Sequence, residues 1–156
     1  MKTQDLYRLI YNPIWISRLL HYFLSGVAKS KTKQIKFELV YFAVPVLLDK
    51  EMISNLESKT ARSTFSTLFD TIESKKCLIG MDKKIYAFTE VTNDALLILA
   101  DKVAIGDGGY IHTSDCLDYR KTEDSLRDYF KAAYNLGLIL AKEHYREIFL
   151  KIGASA

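Results

Sequence analysis

Hydrophobic positions recur at helical spacing along most of the chain. From Leu6 to Val27 they fall at Leu6, Leu9, Ile10, Ile14, Trp15, Leu19, Leu20, Phe23 and Leu24, with Asn12-Pro13 set inside the pattern. Proline lacks a backbone donor but suits the first helical turn, so a main helix is expected from Pro13 to about Val27, with Asn12 as its N-cap. Phe37 to Leu48 is apolar almost throughout. Such a run fits a buried strand or a buried helix. Its length and its lack of glycine favour the helix, bent by Pro45. Asp49 to Leu56 reads as a short helix or turn. Ser58 or Thr60 then offers an N-cap to a helix through about Thr71, with Phe65, Leu68, Phe69 and Ile72 on one face and Arg62, Ser63, Ser66 and Thr67 on the other.

Glu73 to Gly80 is a polar link. Asp82 to about Ala100 again has helical spacing, in one piece or in two, the second capped by Thr92 or Asn93. The period changes at Lys102. Val103-Ala104-Ile105 and Tyr110-Ile111-His112 flank Gly106-Asp107-Gly108-Gly109, which predicts a β-hairpin. After a polar connector, Asp124-Ser125 can cap a long helix. Its stripe Leu126, Phe130, Ala133, Gly137, Leu140 places two small residues where another helix can approach closely. A last helix from about His144 to Ile152 stops at Gly153.

Composition narrows the class. A chain of 156 residues with 49% apolar and 26% charged positions fits one domain, 1–156, with its own core. It divides into an N-terminal helical segment (1–28), a central core (37–113) and C-terminal helices (124–153). The fold class expected is mostly α: a compact helical domain with a β-hairpin, winged-helix-like in the middle. The longest charge-free apolar run, Leu39 to Leu48, is far short of the roughly 20 residues of a membrane span. Charged Arg8 and Arg18 interrupt any signal-peptide pattern. Cys77 and Cys116 have no paired spacing, which points to a reducing, cytoplasmic setting rather than a disulfide framework.

Candidate chemistry is sparse. No nucleophile elbow, Walker loop or dinucleotide glycine pattern occurs. Gly106 to Gly109 lacks the Lys-Ser/Thr and the helix that a phosphate loop needs. His112, Asp115 and Cys116 are close in sequence but have no second ligand pair beside them. No catalytic residue, metal or cofactor is expected, and Cys77 reads as a small buried hydrophobe.

Binding is the better-supported class. The helix from Pro13 to Val27 has a broad aromatic face that packs either on its own domain or on another protein; Trp15, Tyr22 and Phe23 are its candidate partner-binding anchors. A net charge of +3 is weakly basic. Lys31, Lys33 and Lys36 lie in a basic connector and Lys59 and Arg62 head the helix that follows, so these five are candidate contacts to phosphate or to an acidic partner. Helices followed by a hairpin give the layout of a winged helix, in which a recognition helix and a wing approach DNA. Acidic Asp107 at the hairpin tip opposes that use and favours a protein partner, with a DNA-binding regulator or sensor as the rival.

The order of several motifs resembles one family. These are Asn12-Pro13 before an aromatic helix, the apolar run with Pro45, and Lys59-Thr60-Ala61-Arg62-Ser63. The ladder Ala95-Leu96-Leu97-Ile98 then runs into the hairpin, and Lys131-Ala132-Ala133, Leu136-Gly137 and Ile152-Gly153 follow. Together they resemble the middle component of bacterial three-component ABC systems, a group that includes the small subunit of Lamassu-type antiphage defence. The closing Ile152-Gly153-Ala154 departs from the basic or proline-containing ending of that group. The resemblance implies a non-enzymatic adaptor with two partners: a large SMC/Rad50-like ABC ATPase and an effector, often a nuclease. DNA would be met, if at all, through the complex.

Overall fold

A computed structural model of the protein describes residues 11–153. The first turns expected at Leu6, Leu9 and Ile10 lie outside the described residues. Helix α1 spans Pro13–Val27, and Asn12 caps it as expected, its side-chain carbonyl accepting from the Ile14 and Trp15 amides. Strand β1 is Ile35–Lys36. The greasy run forms helix α2, Glu38–Leu47, buried along nearly its whole length with Pro45 inside it. Asp49 then caps α3, Lys50–Glu57, through bonds to the Glu51 and Met52 amides.

The expected helix from Ser58 to Thr71 does not form. In its place stand two short helices, α4 (Phe65–Leu68) and α5 (Ile72–Lys76). The reason is local. Thr64 with Thr67, and Thr71 with Ser74, make reciprocal capping boxes that satisfy backbone groups a continuous helix would have satisfied itself. The apolar face read from Phe65, Leu68, Phe69 and Ile72 also splits: the first three are buried, while Ile72 is exposed.

Helix α6 runs unbroken from Met81 to Ile98. Neither Thr92 nor Asn93 starts a second piece. The Thr92 hydroxyl donates to the Phe88 carbonyl within the helix, and Asn93 accepts from the Tyr41 hydroxyl, joining α6 to α2. The hairpin is present as β2 (Val103–Ile105) and β3 (Tyr110–Thr113), its turn relying on Gly108 and Gly109 at φ 75° and 76°. Strand β1 closes the sheet in the order β1-β3-β2, all antiparallel. Helix α7, Asp124–Leu140, has Glu123 at its N-cap with no side-chain cap from Asp124 or Ser125; Asp124 instead pairs with Arg127 at 2.8 Å. Helix α8, Tyr145–Ile152, ends at Gly153 with φ 70°.

The architecture is mostly α with a small sheet. Helix α6 packs on α1 and α2, and the strand ahead of α2 pairs with the hairpin after α6. This is the winged-helix-like order, but it draws α1 and β1 from ahead of residue 37. As expected, a further helix, α6, stands between the 61–71 segment and the hairpin. Helices α1 and α7 make the most extensive contact in the fold. A Cβ on Gly137 would collide with the Phe23 carbonyl oxygen, and one on Gly26 with that of Tyr134. The small residues of the stripe therefore bring the two backbones together, as their spacing predicted.

Candidate interaction surfaces

The aromatic residues of α1 face inward. Phe23 is fully buried, and Tyr22 and Trp15 are 5% and 8% exposed. Tyr22 stacks on Phe130 at 4.3 Å between ring centroids, Trp15 lies 5.6 Å from both Phe130 and Tyr129, and the Arg18 guanidinium covers the Phe130 ring at 4.8 Å. Burial pushes the Tyr22 hydroxyl above its ordinary pKa. Trp15 and Tyr22 hold α1 to α7 and Phe23 is buried in the core, so in this conformation the three offer a partner no surface. The expected partner-binding anchors are thus side chains that the chain itself covers. Periodicity marks an apolar face but does not say whether the face is covered by the same chain.

Of the basic candidates only Lys36 lines a cleft, and it does so with Lys142, which the sequence does not single out. Lys31 and Lys33 are exposed in the loop before β1, and Lys36 is half-buried. The Lys36 ammonium donates to the Gly108 carbonyl at the hairpin turn and lies 5.3 Å and 5.0 Å from the ring centres of Tyr110 and Tyr145. Arg62 is exposed and Lys59 half-buried on the segment ahead of α4. Lys142, between α7 and α8, reaches that segment and donates to the Ala61 and Ser63 carbonyls, the latter at 2.6 Å. Partial burial holds its ammonium below the usual lysine range. Buried Asn135 fixes the same segment from beneath, donating to the Leu56 and Lys59 carbonyls at 2.9 and 3.1 Å. Lys36 and Lys142 then line one cleft of about 430 Å³. Its signal in the sequence is thin: a lysine after an apolar helix end is ordinary, and only the chain's return past residues 61–63 gives it a role.

Other candidate chemistry is dispersed. The His21 ring nitrogen Nε2 lies 2.6 Å from the Asp115 carbonyl oxygen, which ties α1 to the connector after β3. His112 is half-buried in β3 and Cys116 is exposed. Among the described residues, no group of three or more His, Cys, Asp or Glu side chains is placed to hold a metal ion. The buried Cys77 thiol is pushed up to about 12, first by desolvation and then by Asp49. A neutral, inaccessible thiol is a poor nucleophile. Glu57 and Asp128 share a hydrogen bond that raises the Glu57 carboxyl above its usual range, but neither lines the cleft.

A second exposed surface lies along α6. Tyr86 and Leu97 are 85% and 74% exposed, and Asp82, Glu90 and Asp94, with one lysine, Lys83, share their side of the helix. An aromatic and aliphatic stripe flanked by carboxylates, ahead of a wing tipped by Asp107, is suited to protein rather than to phosphate.

A family model described as ABC-three component (ABC-3C) system Middle Component 3 matches residues 1–154. The chain belongs to this family. No curated protein and no solved structure matches it. As a middle component, it is an adaptor-type subunit of a multi-component ABC system and has protein partners. No helix among the described residues is long and apolar enough to cross a membrane.

Proposed function

We propose that this middle component acts without bond chemistry, docking on an SMC/Rad50-like ABC ATPase and coupling it to an effector of the nuclease type. The assembly would serve cytoplasmic defence against phage or plasmids, in the manner of Lamassu systems. The family match over residues 1–154 carries the reading. One feature of the fold agrees with it. Large apolar side chains stand exposed on α6 and near its start, among them Ile79, Tyr86 and Leu97, where an assembly partner would bury them.

The test is co-expression of the chain with the ATPase and third component encoded beside it, followed by affinity capture and gel filtration. A stable complex containing all three is expected. Tyr86→Ala with Leu97→Ala should reduce its yield without loss of fold. A chain that elutes alone from all mixtures, with or without ATP, removes the reading. The rival, a DNA-binding winged helix, is disfavoured by the carboxylates on α6 and at the hairpin tip. If it held, duplex affinity would fall with salt at a log–log slope of about −0.9 per phosphate contacted.

A further inference from the structure

The cleft of about 430 Å³ lies between the outer edge of β1 and the start of α8. Strand β1 is at the rim of the sheet, because its ladder partner is β3 and the order is β1-β3-β2. The Phe37 amide donates to the Gly109 carbonyl at 2.8 Å, in step with the Ile35–Ile111 pair. In an antiparallel ladder, alternate residues direct both backbone groups to the same neighbour. Lys36 therefore turns its amide and carbonyl away from β3, and Gln34 turns its own the same way, its carbonyl accepting from Thr32 Oγ1 at 3.1 Å. An edge of this kind is a template for another strand.

The walls supply the charge and the floor supplies the grease. Ile35, Leu39 and Ala141 line the cleft with apolar surface. The ammonium groups of Lys36 and Lys142 rest on carbonyls and tyrosine rings, and among the described residues neither meets a carboxylate within ion-pair distance. Glu143, which also lines the cleft, is held by Lys151 at 3.0 Å. His144 uses Nδ1 to accept the Arg146 amide, which leaves Nε2 as the proton-bearing donor of the neutral ring.

We infer that this cleft binds an extended acidic peptide segment of a partner subunit, added to β1 as a further strand with its carboxylates against Lys36 and Lys142. The source of the segment rests on the adaptor reading above. A phosphodiester chain carries no alternating amide and carbonyl groups for the β1 edge, and it has no use for the Ile35–Leu39 floor. A peptide strand uses the edge, the floor and the cations together.

The probe is an acetylated octapeptide of alternating valine and glutamate, titrated into isotope-labelled protein and followed by NMR. Shifts are expected at the amides of Gln34, Lys36 and Tyr145. The valine–lysine counterpart should leave them unmoved. Lys142→Glu, which also releases the Ala61 and Ser63 carbonyls, should weaken binding about tenfold or more, with a spectrum unchanged outside the cleft and residues near 61–63 confirming the fold. N-methylation of the peptide at one set of alternate amides should abolish binding, while the other set tolerates it, because only one set faces β1. Absence of shifts at these residues overturns the inference, as does equal tolerance of both N-methylated sets. Octathymidylate producing the same shifts where the peptide produces none would replace it with a nucleic-acid site. Failure of the peptide while the chain still co-purifies with the ATPase sinks the cleft and leaves the adaptor role. Peptide binding without co-purification does the reverse.

Discussion

The α1–α7 contact and the stretch from Ser58 to Gly80 are both rich in small and hydroxyl-bearing residues, and they use them in opposite ways. In the first, Ser25, Gly26, Ala133 and Gly137 sit within long helices whose apolar stripes already face each other. The small side chains let the backbones close up, and the Ser25 hydroxyl bridges the His21 carbonyl and the Leu117 amide. In the second, Thr64, Thr67, Thr71 and Ser74 stand beside a short stripe, Phe65, Leu68 and Phe69, that breaks off at exposed Ile72. Their hydroxyls bind the nearest backbone groups and cut the chain into short turns. One residue class packs where burial dominates and terminates where it does not.

Substitutions probe that contrast, and the largest effect belongs to the helix pair. Trp15→Ala removes an aromatic group wedged against Phe130 and Tyr129 and should cost about 3–5 kcal/mol in urea unfolding. Below its lowered transition, the variant should still assemble with its partners. Assembly lost in a fully folded variant would return Trp15 to the partner surface. Gly137→Ala forces the backbones apart and should cost about 3 kcal/mol. A loss smaller than that of an exposed-site control would show that the close approach is not what holds the pair. Asn135→Ala removes the side-chain donor shared by the Leu56 and Lys59 carbonyls, the first of which keeps the Lys59 amide. About 2 kcal/mol is expected, with faster amide exchange confined to residues near 56–64.

Effects should be smaller in the capped stretch. Thr71→Ala removes one cap and should cost about 1 kcal/mol, read from the denaturation midpoint, and Thr71→Ser should restore most of it. The remaining signal, from Cys77, depends on pH. Its folded thiol titrates near 12 against an ordinary value of 9.0, so folding is favoured by the neutral form. Stability from this group is complete below pH 9 and is lost as pH rises from about 9 toward about 12. Wild-type protein should weaken more than Cys77→Ala over the lower part of that range, and Cys116 should react with a thiol reagent well before Cys77. Equal labelling rates would place Cys77 outside the core.

Legibility followed the strength of the local signal. Asn12 before Pro13, the glycines of the hairpin and Gly153 after α8 each settle a boundary through one side chain or one backbone angle, and each is where the sequence puts it. The family order was legible too, and the match over residues 1–154 bears out the middle-component resemblance. The misplaced elements lie where signals compete. Phe65, Leu68 and Phe69 have helical spacing, yet two capping boxes outweighed it. Thr92 and Asn93 have the chemistry of caps, yet burial of Val91 and Ala95 carried α6 past them.

What the sequence determined by itself was the helical class, the hairpin and the close-packing stripe, because period, caps and turn glycines act over a few residues. What only the tertiary structure decided was which apolar face is covered and which charges meet. Trp15, Tyr22 and Phe23 are core because α7 returns, some hundred residues later in the chain, to lie on them. Lys36 and Lys142 share one cleft because β1 pairs with the hairpin beside the start of α8. Both outcomes are long-range contacts, and their energy comes from surface that no local window contains.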